Sequence, residues 1–220
     1  MTLNELPAGE VHLWTIFHHE ADRDAELLGN LLTTDELKLR RRFDVDRARR
    51  FTTTRGTLRR LIARYTGISA GDVGFRYGPR GKPFLVAPGK SAADPPRIQF
   101  NLSDSSDVVV FGFASDREIG VDIERVRHVE RWQAIAKRFY GEVAAEELER
   151  MPEPDRDAEF IGRWVMEEAR IKATGQGIWS RQSPEAAALG FKTFIPAPDY
   201  RGAVAAAGTD WVIRPTSAAG

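Results

Sequence analysis

The sequence predicts an α+β fold made of two similar halves, each a small, mainly antiparallel sheet packed with helices. Three observations lead there. Residues 46–65 and 157–174 read as long helices, one in each half. Short runs rich in Val, Ile and Phe lie around them, the clearest being Asp-Val-Val-Val-Phe-Gly-Phe at 107–113. The end of the first helix, Ala63-Arg64-Tyr65-Thr66-Gly67, is echoed by Ile171-Lys172-Ala173-Thr174-Gly175 at the end of the second. A seam near 114–118 would divide a first half, 1–115, from a second, 116–220. On these letters alone, Thr-Gly could simply stop two unrelated helices, because glycine commonly follows a helix end.

Taken in order, 11–17 (Val-His-Leu-Trp-Thr-Ile-Phe) partly alternates and is the first strand. Residues 22–32 and 34–42 read as helices, with Thr34 capping the second because Leu37 and Leu39 follow it. The helix from Asp46 to Tyr65 stops at Gly67. Strands near 72–77 and 83–86 are joined by Gly78-Pro79-Arg80-Gly81, a strong turn signal. Residues 87–96, rich in Pro, Ala and Gly, form a loop. Strands follow at 97–102 and 107–113 and, after a turn at Asp116-Arg117, at 119–124. Helices at 131–140, 142–150 and 157–174 and strands near 188–194, 201–207 and 210–214 complete the order, with a frayed C-terminal tail.

The bulk composition excludes several classes of function. A length of 220 residues with 42% hydrophobic residues is enough for a sizeable core. Basic and acidic residues balance at 32 each, so net charge gives no case for nucleic-acid binding. There is no cysteine, which removes disulfides, thiolate zinc sites and thiol nucleophiles. The start Met1-Thr2-Leu3-Asn4-Glu5 lacks the basic and apolar pattern of a signal peptide. No apolar run approaches the roughly 18 residues of a membrane span. A cytoplasmic protein that touches neither membrane nor nucleic acid is expected. Of the four histidines, His12, His18 and His19 cluster near the start, and His18-His19 reads as a surface loop. Phosphate-loop, dinucleotide-binding and hydrolase-elbow patterns are absent.

The chemistry concentrates in acidic residues. On a strand, residues two apart share a face, so Asp122 and Glu124 should project together while Val121 and Ile123 face the core. Two carboxylates so placed can offer oxygens to one hard cation, although such a pair on a strand is more often a solvated face. On the helix 157–174, Phe160, Trp164, Glu168 and Lys172 fall on one stripe. A Glu→Lys pair at that spacing is ordinarily worth only about 0.2–0.5 kcal/mol. Sharing a stripe with Phe160 and Trp164, however, should turn it towards protein, where unpaired charge is costly. A metal shared with Asp122 and Glu124 would resolve that cost.

Gly120-Val121-Asp122-Ile123-Glu124 followed by Trp164-Val-Met-Glu-Glu-Ala-Arg-Ile-Lys172 resembles the paired motifs of the 4′-phosphopantetheinyl transferase superfamily, in its two-lobed surfactin-synthetase-activating branch. The likeness extends over nearly the whole chain. It takes in Arg42-Phe43 and Arg50-Phe51 with Arg55, Leu58 and Arg59, Gly81-Lys82-Pro83, Asn101-Leu102-Ser103-Asp104-Ser105, and Arg138-Phe139-Tyr140 with Glu142. It also favours the duplicated reading of the two halves.

The resemblance implies a monomer with coenzyme A in a cleft between the lobes, magnesium, and transfer of the 4′-phosphopantetheine arm to a serine of an apo acyl or peptidyl carrier protein. It implies Asp122, Glu124 and Glu168 as metal ligands, Glu168 also as general base, and Lys172 as a catalytic residue that neutralises phosphate charge. It further implies Arg50, Lys82, Pro83, Ser103, Asp104 and Lys172 around the coenzyme, with Arg50 at the 3′-phosphate. Local charge agrees with an anionic ligand. From Lys38 to Arg64 there are eleven basic residues against two acids, a balance of +9. A nucleic-acid reading of that stretch ranks lower, because Phe43, Phe51 and Tyr65 resemble core positions rather than stacking platforms.

Two positions depart from the family pattern, both towards negative charge. Asp104 stands where the family has histidine, and Glu167 where it has lysine. Acids facing phosphate would be repelled, by about 1 kcal/mol at 4 Å in water and about 4 at an effective dielectric of 20. Three outcomes are open. The side chains turn to solvent while Arg163, Arg170 or an arginine of 38–64 compensates; the acids recruit a second cation; or the chain is a degenerate or repurposed relative that binds coenzyme A-like ligands or carrier proteins without normal transfer.

Overall fold

The computed structural model describes residues 5–78, 81–86, 98–175 and 183–216. The middle of the Gly78–Gly81 turn, the 87–96 loop and the last residues of the tail lie outside these. The elements run β1 (Glu10–Phe17), α1 (His18–Ala21), α2 (Ala25–Gly29), α3 (Thr34–Arg40), α4 (Val45–Thr66), β2 (Gly74–Tyr77), β3 (Pro83–Val86), β4 (Gln99–Ser105), β5 (Val108–Ala114) and β6 (Ile119–Arg125). Then come α5 (Trp132–Tyr140), α6 (Glu142–Glu149), α7 (Glu153–Thr174), α8 (Pro184–Ala187), β7 (Leu189–Phe194), β8 (Tyr200–Ala207) and β9 (Val212–Thr216). No helix among the described residues is long and apolar enough to cross a membrane.

The α+β class expected from the sequence is the one observed. One sheet has the order β4-β5-β1-β9, a second has β6-β8-β7, and β2 and β3 form a separate ribbon. Strand pairing is antiparallel except between β1 and β9.

Alternation along the strands assigns each side chain to a layer. Val11, Leu13, Val108 and Val110 of the first sheet meet Ile119, Val121, Ile123 and Val204 of the second in a core between the sheets. The intervening Trp14, Ile16, Val109 and Phe111 point the other way, onto Leu58, Leu61 and Ile62 of α4. On the outer face of the second sheet, Ala203 and Ala205 pack with Phe160, Val165 and Ala169 of α7. The order is helix, sheet, sheet, helix. β4 and β6 are both edge strands and lie along each other, with the Asn101 amide oxygen accepting from the Val121 backbone N–H at 2.9 Å. Buried edge donors need such partners.

β1, β4 and β5 belong to one sheet and β6, β7 and β8 to the other. β9 then returns to pair with β1, Val11 opposite Ile213, so the end of the chain belongs to the first sheet.

Three local differences have identifiable causes. Thr33, not Thr34, caps α3. Its hydroxyl accepts from Glu36 N while the Glu36 carboxylate accepts from Thr33 N, a reciprocal box that needs an acid three residues on. Thr34 has Leu37 at that place. The helix expected at 22–32 is broken into α1, a 3-10 turn at Asp22–Asp24 and α2, consistent with the preference of Asp for caps and turns. α7 starts four residues earlier than expected, with Pro154 in the first turn where its missing N–H has no intrahelical partner to lose.

Candidate functional site

Gly120 sets the geometry of the site. A Cβ built there would lie 2.0 Å from Ala169 O and 2.3 Å from Ala173 N, so only glycine lets α7 press this closely on β6. Residues 120, 122 and 124 share a face, and Glu168 and Lys172 occupy the adjoining turns of α7. The Gly-Val-Asp-Ile-Glu motif thus supplies both the contact with α7 and the carboxylates beside it.

Asp122 is 5% exposed. Its Oδ1 accepts from Lys172 Nζ at 2.7 Å and from Ser103 Oγ at 2.8 Å. Among the described residues, nothing hydrogen-bonds its buried Oδ2. Burial pushes the Asp122 carboxyl above its ordinary range, and Lys172 and Ser103 oppose that shift. Glu124 accepts from Ser105 Oγ at 2.8 Å. Glu168 is half-buried and also raised, first by desolvation and then by the neighbouring charge of Asp122, with Lys172 opposing and Glu167 and Glu124 adding. Lys172 Nζ also donates to Ser103 Oγ at 3.1 Å. Ser103, expected at the coenzyme, therefore links β4 to the acidic centre.

An orphaned buried carboxylate oxygen, with a second carboxylate near enough to repel it, fits a bound cation. The donors are all oxygens, the set that magnesium takes. The three carboxylates do not form a closed cage. Among the described residues, the trio whose ligand atoms all lie within 4.8 Å of one another is His128, Glu153 and Asp157. That trio sits at the start of α7, roughly 16 Å along the helix from Glu168 by the rise per residue.

The two departures from the family pattern both have neighbours that engage them. Asp104 lies on the opposite face of β4 from Ser103. Its Oδ2 is 3.1 Å from His18 Nε2, and its Oδ1 is 4.0 Å from Arg50 Nη1. His18 is therefore no surface loop residue. It is 4% exposed, with Nδ1 against Thr53 Oγ1 at 2.9 Å. Glu167 does not turn to solvent either. It is buried and takes Arg170 Nη2 at 2.6 Å and Nε at 3.3 Å. The compensation expected from Arg170 does occur, but inside the protein.

Three of the residues expected at the coenzyme, Lys82, Pro83 and Lys172, line a cavity, and Arg50 does not. Lys82, Pro83, Asn101 and Lys172, with Arg55 and Tyr77, line a space of about 410 Å³. Lys82 Nζ donates to Glu118 Oε2 at 2.7 Å and lies 3.5 Å from Ile119 O and Ala173 O, bridging the β2–β3 ribbon to the end of α7. Arg50, on the exposed start of α4, donates to the Ser106 carbonyl.

A model of the 4′-phosphopantetheinyl transferase superfamily matches residues 118–208, from just before β6 to the end of β8. Over a longer span the chain is 33% identical to the 4′-phosphopantetheinyl transferase HetI of Nostoc sp., covering 94% of this chain and 91% of that protein. The chain belongs to this superfamily. It is also 27% identical to the 4′-phosphopantetheinyl transferase Sfp of Bacillus subtilis, over 74% of this chain and 57% of that one. Against the 4′-phosphopantetheinyl transferase AcpT of Salmonella typhi the identity is 36%, over 47% of this chain and 50% of the relative.

The superfamily match covers the elements that carry Asp122, Glu124, Glu168 and Lys172. Asn101, Ser103 and Ser105 come from β4, outside it. The sequence points to Ser103 but not to Asn101 or Ser105 as site neighbours, because the expected strand, 97–102, stops short of the serines; in β4, which runs on to Ser105, all three share a face. His18 and Tyr77 give no such signal, and Arg55 enters only through the likeness of the basic helix, without a role at the site; the residues they meet are distant in sequence.

Proposed function

We propose that this transferase moves 4′-phosphopantetheine from coenzyme A to a serine hydroxyl of an apo acyl or peptidyl carrier protein, releasing adenosine 3′,5′-bisphosphate. The observation that carries the reading is the buried Asp122 Oδ2, without a hydrogen-bond partner among the described residues, beside a desolvated Glu168. Asp122, Glu124 and Glu168 would hold magnesium, which when bound neutralises pyrophosphate charge and orients its oxygens.

The chain's own groups supply the rest. The serine oxygen forms a new bond to the phosphorus that bears the pantetheine arm. The bond from that phosphorus to the bridging oxygen breaks, and the electron pair leaves with the adenosine bisphosphate. Glu168 accepts the serine proton, directly or through a water; burial and the neighbouring charge of Asp122 raise its proton affinity in the metal-free protein. Lys172, held by Asp122 and Ser103 at the cavity wall, neutralises charge on the leaving side. Arg50 serves the 3′-phosphate, and Lys82 and Pro83 the nucleotide end. Asp104 is engaged by His18 and lies near Arg50, and Glu167 is paired with Arg170, so both acids have partners within the protein, which favours an active enzyme over a degenerate relative. A cytoplasmic monomer completes the reading; a cavity lined by one chain alone supports the monomer.

The test is to incubate the protein with magnesium, coenzyme A and an apo carrier protein and then weigh the carrier. A gain of one phosphopantetheine arm is expected. No gain with several carriers would favour the non-catalytic alternative.

A further inference from the structure

His18, the first residue of α1, is buried among polar groups from other elements. Its backbone N–H donates to the Asp107 carbonyl at 2.9 Å. On α4, Thr53 Oγ1 lies 2.9 Å from Nδ1, and on β4, Asp104 Oδ2 lies 3.1 Å from Nε2. The Thr53 hydroxyl donates its one hydrogen to the Arg50 carbonyl at 3.1 Å. Its oxygen is then left to accept, so Nδ1 carries a proton. An ionised carboxylate only accepts, so Nε2 carries one as well. A histidine that donates from both ring nitrogens is the imidazolium. A proton between an imidazole and a carboxylate lies on the imidazole, the stronger base.

Asp104 has a second charged neighbour. Its Oδ1 lies 4.0 Å from Arg50 Nη1, which also donates to the Ser106 carbonyl. Arg50 is exposed near the start of α4. The charged side chains around this point are thus His18, Asp104 and Arg50, together with Asp107, whose carboxylate engages His19. A bare carboxylate at Asp104 would cancel the charge of Arg50 and repel an anion brought to it. An imidazolium at His18 cancels the carboxylate instead. His18, Asp104 and Arg50 then sum to one positive charge, and the exposed guanidinium is the part of the group that an anion can reach.

We propose that His18 is the counter-charge of Asp104 and thereby a specificity-determining residue, keeping the charge of Arg50 available to select a coenzyme that bears a 3′-phosphate. This rests on the reading that Arg50 serves that phosphate. The basic side chain usual at position 104 in the family has its counterpart here 86 residues away.

Nitrogen NMR of the full chain near neutral pH reads the charge directly. Both His18 ring nitrogens should be protonated, and a neutral tautomer overturns the proposal. Titration calorimetry with magnesium, using coenzyme A and 3′-dephospho-coenzyme A, reads the consequence as the ratio of the two affinities. His18→Gln should cut the preference for coenzyme A about fivefold, the factor that one unit charge about 4 Å away makes in water. Asp104→Asn added to His18→Gln should restore the preference. Asp104→Asn alone should change it by less than about twofold, because a buried imidazole without its carboxylate sheds the proton and the pair stays neutral. A purely structural role for His18 would weaken both coenzymes alike and give no recovery. A preference unchanged by His18→Gln overturns the proposal. Asp104 is partly exposed, so its single variant carries the test even if His18→Gln unfolds; a rise of about fivefold would reveal an uncancelled carboxylate and overturn the proposal. A wild-type chain that binds both coenzymes equally would remove Arg50 from the 3′-phosphate, and this inference with it, while the transferase reading stands. One that binds neither would overturn both.

Discussion

Asp122 and Glu167 are both buried acids, each with a basic neighbour on α7, yet they are treated differently. Glu167 meets the planar fork of Arg170 with both oxygens. Asp122 meets a lysine and a serine with one oxygen and leaves the other unpartnered among the described residues. Glu167 is satisfied as it stands, whereas Asp122 is not. The contrast teaches that residue type at a motif position does not reveal which acid serves a ligand. The number of its lone pairs that the protein itself fills does.

The sharpest way to break this contrast is to neutralise the unsatisfied acid. Asp122→Asn should keep the fold and lower kcat by about 10³ in the carrier-mass assay, in line with losing a group that stabilises developing charge. A folded variant of near-normal rate would remove Asp122 from the chemistry.

Next comes the satisfied acid. Arg170→Met removes the paired cation of the buried Glu167 and should cost about 3–5 kcal/mol in urea unfolding, with Arg170→Met/Glu167→Met recovering most of it. Glu167→Lys, which restores the residue type usual in the family, should also destabilise, because it sets two cations together. A stabilised lysine variant would show that the pair is not what holds this turn.

Gly120→Ala tests the contact that brings the two acids' elements together. With a methyl group 2.0 Å from a carbonyl oxygen, α7 must shift, at a cost of about 1–3 kcal/mol, and activity should fall with it. Unchanged melting would show that the approach of α7 to β6 is slack.

The smallest effect should be on the pH profile of the metal-free protein. Glu168 has its pKa raised in the folded state. Its contribution is therefore fully present below the unfolded value, near 4.3, and lost as pH rises through the raised one. Because the group is half-exposed, Glu168→Gln should gain less than about 1 kcal/mol over wild type towards neutral pH. Thermal melts in chelator at several pH values would show the gap widening upward; a gap that narrows reverses the sign.

Much of this protein was legible in the sequence because its signals were local. Periodicity placed every strand of both sheets to within a few residues and found both long helices, whose stops at Gly67 and Gly175 adopt the left-handed conformation that glycine favours. Spacing of two put Asp122 and Glu124 on one face, and spacing of four put Glu168 and Lys172 on one stripe. Tertiary structure alone decided what each charge meets. It brought His18 to Asp104 across 86 residues, sent β9 back to β1, and left one oxygen of Asp122 and one nitrogen of Arg55 without partners among the described residues. Periodicity reports which way a side chain points from its own backbone. Whether its charge is then answered depends on groups distant in sequence, and only the folded chain brings those together.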